Sequence, residues 1–161
     1  MSDKSVLVVY YSRTGTTAKL GKSIAQELRC DSEAIVRERE QKGFFGWWVC
    51  GFEAFYKRTP AIKPVQKDPS AFDLVIIGSP VWAGTVASPA RTYLAAHAQN
   101  FKKVAFFSTA GSQAEPRIFM DMESVCSRVP LVTLLLPAEE VWKNAYVEKM
   151  KSFIEAILEK L

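Results

Sequence analysis

Val6-Leu7-Val8-Val9-Tyr10-Tyr11-Ser12-Arg13-Thr14-Gly15-Thr16-Thr17 joins a continuous apolar run to a hydroxyl-rich loop, and a helical pattern begins at once. A run of β-branched and apolar residues with no polar alternation suits a strand covered on both faces. After it, Leu20, Ile24 and Leu28 recur every four residues, with Lys19, Lys22, Gln26 and Glu27 on the opposite face, as in an amphipathic helix. The loop between them carries four hydroxyls and one glycine. At a helix N-terminus the backbone N–H groups lack intrahelical partners and the helix dipole is positive, so the site favours an anion. The hydroxyls add donors, Gly15 lets the main chain approach closely, and a phosphate meets that description. The competing reading is an N-capping turn with surplus Ser and Thr.

The same strand character returns in Leu74 to Ile77, Val104 to Phe107 and Leu131 to Leu136, while Ala34-Ile35-Val36 within Asp31 to Arg37 reads as a less buried edge strand. Helices are expected near Ser88-Pro89, where Ser can cap, near Glu115-Pro116, and from Met150 to Leu161. Strand and helix therefore alternate almost throughout. Right-handed crossovers then give a three-layer, doubly wound α/β domain with a parallel sheet, and ligands belong beyond the carboxyl ends of the strands.

Composition agrees with one such domain. The chain has 161 residues, of which 48% are hydrophobic, 12% aromatic and 24% charged, enough apolar surface to offset chain entropy. Its net charge of +4 is spread without a basic block, so no nucleic-acid partner is expected. No apolar run nears the roughly 20 residues of a membrane span, and Met1 to Lys4 leads into a strand rather than a signal-peptide core, so a cytoplasmic location is expected. Cys30, Cys50 and Cys126 have no metal-ligand or disulfide spacing and read as idle thiols; the sole histidine, His97, reads as a helix-surface residue. The G-x-x-x-x-G-K-[ST] and G-x-G-x-x-G phosphate motifs are absent, and the first loop holds no cysteine nucleophile.

Two further loops fall at the ligand end of the expected sheet. Gly78-Ser79-Pro80-Val81-Trp82-Ala83-Gly84-Thr85 sets a Trp on a tight loop where it can cover a flat partner, although a core position is the alternative. Ser108-Thr109-Ala110-Gly111-Ser112 is small and hydroxyl-rich, with a backbone able to lie against a planar ring.

Val8 to Thr17, with Ile24 seven positions on, resembles the phosphate-loop signature of the flavodoxin family, and the Trp82 and Gly111 loops fall where that family has its two isoalloxazine loops. The resemblance implies a flavodoxin-like five-stranded sheet of order 2-1-3-4-5 and bound flavin mononucleotide (FMN). It assigns the phosphate to Ser12, Arg13, Thr14, Gly15, Thr16 and Thr17. The ring goes to Pro80, Val81, Trp82, Ala83 and Gly84, and the ring edge to Ser108, Thr109, Ala110, Gly111 and Ser112. Gly21 stands where the signature usually has Ala, and the third loop lacks the Tyr that many flavodoxins stack on the outer ring face. The chain is also basic, whereas the best-known flavodoxins are acidic. No catalytic side chain and no metal site are expected, since titratable groups do not converge. The implied function is electron transfer to a redox partner protein or small acceptor. The alternative is an FMN-dependent NAD(P)H:quinone or related reductase, and a flavin-free interaction module is a third reading.

The irregular stretch at about 41–68 is an aromatic-rich insertion. From Phe44 to Tyr56, seven of thirteen residues are aromatic and Glu53 is the only charge. Phe44, Trp48, Phe52 and Phe55 form one stripe at helical spacing, which predicts that this face joins the core. The open face of the flavin or a second copy of the chain, giving a homodimer through 44–56, are the other covers. A membrane surface ranks last, because Lys57-Arg58 is a thin basic flank.

Overall fold

Val6–Tyr10 forms β1 and lies between β2, Asp31–Ala34, and β3, Leu74–Trp82, with both pairings parallel. The computed structural model describes residues 4–40, 42–111 and 116–161. Beyond β3, parallel pairing continues through Val104–Ala110, which is β5, to Thr133–Pro137, which is β6. A two-residue strand β4, Thr85–Val86, folds back antiparallel on the end of β3. Among the described residues the sheet order is β2-β1-β3-β5-β6. With the hairpin strand set aside, this is the expected order 2-1-3-4-5.

Side chains alternate across this sheet and so define two cores. Leu7, Val9, Val75, Ile77, Val104 and Phe106 face α3, Ser88–His97, and α4, Arg117–Cys126. Val8, Leu74, Ile76, Ala105 and Phe107 face α1, Thr16–Leu28, and α6, Val147–Lys160. Both faces are covered, which is why the strands read as unbroken apolar runs.

Several boundaries differ from the sequence reading. β3 and β5 run further than Ile77 and Phe107, carrying Ser79, Trp82, Ser108 and Thr109 into the sheet. β2 stops at Ala34, although Ile35 stays buried and its N–H donates to the Tyr10 carbonyl at 2.7 Å. Ser88 does not cap α3: Ala87 holds the cap position, and the Ser88 hydroxyl donates to Glu53 at 2.9 Å. Pro116 caps α4, and Glu115 lies outside the described residues. A short helix α5, Ala138–Trp142, directly follows β6 and had no counterpart in the sequence reading.

The largest correction concerns α2, Gly43–Phe55. Its buried face is Gly46, Cys50 and Ala54, spaced by four, while Phe44, Phe45, Trp47, Trp48, Phe52, Phe55 and the adjoining Tyr56 are 55–83% exposed. The predicted core stripe of Phe44, Trp48, Phe52 and Phe55 therefore points outward. Glu53 sets the orientation. Arg37, 6% exposed, donates to both of its carboxylate oxygens at 2.8 and 2.9 Å, and Ser88 donates as well. Bringing the rings inward would turn this carboxylate away from a buried guanidinium, at a cost of several kcal/mol.

Candidate functional site

The loops after β1, β3 and β5 converge at one end of the sheet around a cavity of about 700 Å³. This is the carboxyl edge, and the size lies within the range of small-molecule sites.

Gly15, at φ 98°, forms the turn into α1, and its N–H donates to Ser12 Oγ at 3.1 Å. That φ favours glycine. The first turn of α1 has no side-chain cap and no acidic residue, so its leading N–H groups face the cavity end without an internal partner. Thr14 and Thr16 stand 3.5 Å apart at their hydroxyls, and the Trp142 indole donates to Thr16 Oγ1 at 3.0 Å. Because Thr16 accepts that bond, its own hydroxyl hydrogen can go either to Thr14 Oγ1 or to a ligand oxygen. The Lys19 ammonium lies 5.2 Å from the Trp142 ring centroid, which places a further positive charge beside the loop. Thr17 and Thr109, both buried, meet at 2.8 Å between hydroxyls and tie the first loop to the third.

The second loop is a tight hairpin. Ala83 and Gly84 both adopt positive φ, 48° and 75°, as a two-residue turn of the mirror type requires. Trp82, half-buried, packs against the core and meets Tyr11 edge to face with ring centroids 5.4 Å apart. Thr85 Oγ1 lies within hydrogen-bonding distance of the Trp82 and Ala54 carbonyls, at 3.1 and 3.2 Å, and so links the hairpin to α2.

Arg13, Thr14, Thr16 and Thr17 line the cavity from the first loop, Pro80 to Ala83 from the second, and Thr109 to Gly111 from the third. Gly43, Trp47, Cys50 and Gly51 of α2 form a further wall, with Ala138 at the start of α5. Ser12, Gly15 and Gly84 shape the turns instead of the wall. Ser108 is fully buried and donates to the Ser79 carbonyl at 2.6 Å, holding β5 to β3. Ser112 lies outside the described residues.

Two contributors escaped the sequence reading by residue. Trp142 stands beside the phosphate-type loop, and an added Cβ on Gly15 would lie 3.8 Å from its ring. The signal was a lone Trp five residues past a strand-ending Pro137, at the same carboxyl edge as the other loops. Trp47 comes from the aromatic segment and gives the cavity a second indole besides Trp82.

The wall is poor in reactive groups. Among its described residues Arg13 is the one formal charge, and no Asp, Glu, His or Lys is present. Arg13 also donates to the Gly43 carbonyl at 3.3 Å, bridging the first loop and α2. Burial pushes the Cys50 thiol up, which keeps it protonated at neutral pH and weak as a nucleophile. Desolvation likewise raises the Tyr11 phenol to about 12. A cavity with hydroxyls and a helix N-terminus at one end and indoles in its wall, with no acid-base pair among its described residues, can bind and orient a ligand that carries both an anion and a flat ring.

No protein-family model matches the chain, and neither does any curated protein. Solved structures do match. A flavoprotein from Lactobacillus acidophilus, in complex with FMN, aligns over 92% of this chain and 99% of its own at 21% identity and a TM-score of 0.71. A flavodoxin from the domain Archaea aligns over 91% and 99% at 15% identity and a TM-score of 0.51. The two-electron reduced flavodoxin of Megasphaera elsdenii covers 81% and 85% at 17% identity and 0.55. At these identities the likeness is one of architecture, and on that ground, together with its strand order and its three-loop edge, the chain has the flavodoxin-like fold.

Proposed function

We propose that the cavity binds FMN non-covalently and that the protein is an electron carrier that exchanges electrons with a redox partner protein or small acceptor. The observation that carries this reading is the convergence of the uncapped N-terminus of α1, with the Thr14, Thr16 and Thr17 hydroxyls, and two indoles on a single cavity. The residues present fit the cofactor at both ends. The first-loop backbone donors and Arg13 suit a phosphate dianion, and the Trp82 and Trp47 rings suit a flat aromatic system. When bound, FMN gives and accepts electrons one or two at a time.

The chain's own part is positioning and electrostatics. Backbone N–H groups at α1 neutralise the phosphate without needing a titratable group, so binding should vary little across neutral pH. The Ala83-Gly84 turn brings peptide groups to the cavity rim, where their N–H and C=O can bond a ring edge. Trp47 lines the cavity, which supports giving it the cover of the outer ring face, the role for which the third loop offers no Tyr.

Titration with FMN and riboflavin tests the reading. Thr16→Asp should weaken FMN about a hundredfold and leave riboflavin little changed, because the carboxylate repels the phosphate alone. An acid in the first turn favours the helix, but Thr16 is buried and accepts from Trp142, so the melting temperature of the variant is measured alongside and must stay near that of the wild type for the comparison to count. Equal losses for both ligands would remove the phosphate assignment. Steady-state oxidation of NAD(P)H with a quinone separates the alternative: turnover on the scale of ordinary enzymes would make the protein a reductase instead of a carrier.

A further inference from the structure

The outward half of α2 is left exposed by the described residues. On a helical wheel the exposed rings run from Trp47 through Phe44, Phe55, Trp48, Phe52 and Phe45, with Tyr56 at the end, across about half the circumference. At roughly 200 Å² per ring, their exposed fractions amount to about 900 Å² of aromatic surface. The largest apolar patch of an ordinary monomer is about 300–600 Å².

Three features of the face select its occupant. The single carboxylate of the helix, Glu53, is turned inward and neutralised by Arg37, so the outer half carries no negative charge. Both ends carry an exposed cation: Lys42 precedes the helix and Arg58 follows it, while the exposed Lys57 between Tyr56 and Arg58 lies 3.9 Å from Asp121 of α4. The shape is convex and wide. Two helices pack through ridges along a narrow stripe, so a second copy would cover the middle rings and leave Trp47 and Phe45, at opposite edges, in water. A fluid interface submerges the whole half-cylinder. Trp, Phe and Tyr, with cations at either end, are also the residues that settle at the headgroup level of a bilayer.

We infer that the protein docks on an anionic lipid bilayer through α2, which lies in the plane of the interface with its rings among the headgroups and Lys42 and Arg58 on the lipid phosphates. The helix spans only thirteen residues, and no helix of the described chain is long and apolar enough to cross a membrane. Docking is therefore peripheral. Trp47 lies at the edge of the face and also lines the cavity, so the cavity mouth adjoins the docked surface. The inference rests on α2 alone and stands or falls independently of the cavity's ligand.

Flotation of the full chain with vesicles of phosphatidylcholine, with and without phosphatidylserine, tests it. The protein should float with the phosphatidylserine vesicles, and concentrated salt should weaken that association. Phe45→Ser and Phe55→Ser should each reduce partitioning about tenfold, the loss expected for one buried ring. Both positions are exposed, so circular dichroism and melting temperature should stay unchanged. Brominated phosphatidylcholine in the vesicles should quench the wild-type tryptophan emission, and Trp48→Phe should remove part of that quenching while binding is kept. Failure to float with phosphatidylserine vesicles overturns the inference. If the protein then sediments as a dimer that Phe45→Ser or Phe55→Ser splits, the face is a contact between copies. Equal flotation with both vesicle types overturns the role given to the cations.

Discussion

Replacing Glu53 by Ala should release α2 from the domain without unfolding the sheet. The helix contributes only Gly46, Cys50 and Ala54 to the interior, three small side chains. Its other attachments are the bonds from Thr85 to the Ala54 carbonyl and from Arg13 to the Gly43 carbonyl, with Arg37 and Ser88 on Glu53. Removing the carboxylate takes both partner oxygens from the terminal nitrogens of Arg37 and leaves its guanidinium with the Nε bond to the Arg39 carbonyl and a long Nη1 contact to Cys50 Sγ at 3.9 Å. Breaking a buried pair costs about 3–5 kcal/mol, and since Glu53 is 17% exposed, about 3 kcal/mol is the appropriate end of that range. That corresponds to roughly a hundredfold rise in the local opening constant of α2. Amide hydrogen exchange reads it directly: the α2 amides should exchange about a hundredfold faster, while β1, β3 and β5 keep their protection. Glu53→Gln, which retains acceptors and loses charge, should fall between. Exchange of α2 in Glu53→Ala within about twofold of the wild type would show that the ion pair does not hold the helix, and the account of its orientation would fail.

Trp82→Ala should weaken FMN and riboflavin equally and restore flavin fluorescence, in contrast to Thr16→Asp; unchanged affinity and quenching would leave Trp82 as a packing residue only. Gly21→Ala should lower stability, because the added Cβ would stand 2.6 Å from Tyr10 Cδ1 and 3.2 Å from Phe107 Cζ. Overpacking of about 1–3 kcal/mol there exceeds a helix-propensity gain of about 1 kcal/mol, so an equal or higher melting temperature would refute the packing argument. Asp73 accepts from the Ser5 backbone N–H at 3.0 Å, which holds its carboxyl below the usual range, with Lys102 nearby at 3.5 Å. A depressed folded pKa stabilises the protein above the ordinary carboxylate range, and the contribution is lost as pH falls through the folded value. Asp73→Asn should therefore flatten part of the acid limb of melting temperature against pH, and an unchanged limb would remove Asp73 as a contributor.

What the sequence made legible follows the physics of burial. Strands covered on both faces show as unbroken apolar runs, so β1, β3 and β5 are legible in the sequence, whereas the sheet order was implied by the flavodoxin resemblance and agrees with the order found. The first loop was legible because a helix N-terminus crowded with hydroxyls has few purposes. Ser108 is the opposite case. Placing the end of the strand at Phe107 put Ser108 in a loop, whereas β5 continues to Ala110 in register with β3, pairing Ser108 with Ser79 and burying it. Periodicity also failed at α2, for a definite reason: two faces of that helix repeat at helical spacing, one of large rings and one of Gly46, Cys50 and Ala54. A hydrophobicity scale prefers the rings. The deciding term was the Glu53–Arg37 pair, sixteen residues apart in the chain and invisible to any periodic pattern.

The same geometry accounts for a cavity with walls of unequal firmness. The α1 cradle is tied to β5 by the Thr17–Thr109 contact and backed by a core in which Leu20 and Ile24 are fully buried. The hairpin is fixed by its turn and by Trp82 against Tyr11. The α2 wall, by contrast, rests among the described residues on three small side chains, the Arg37 and Ser88 bonds to Glu53 with a long Arg37–Cys50 contact, and two bonds to its carbonyls. Regions with few buried apolar contacts open at the lowest free energy, so α2 is the wall most easily displaced. A ligand anchored by its phosphate at α1 would then stay in place while its outer face is uncovered by motion of Trp47. If the cavity serves a carrier as proposed, binding and access fall to different elements: the firmly held donors at the α1 N-terminus would hold the ligand, and the lightly attached aromatic helix would govern what reaches it.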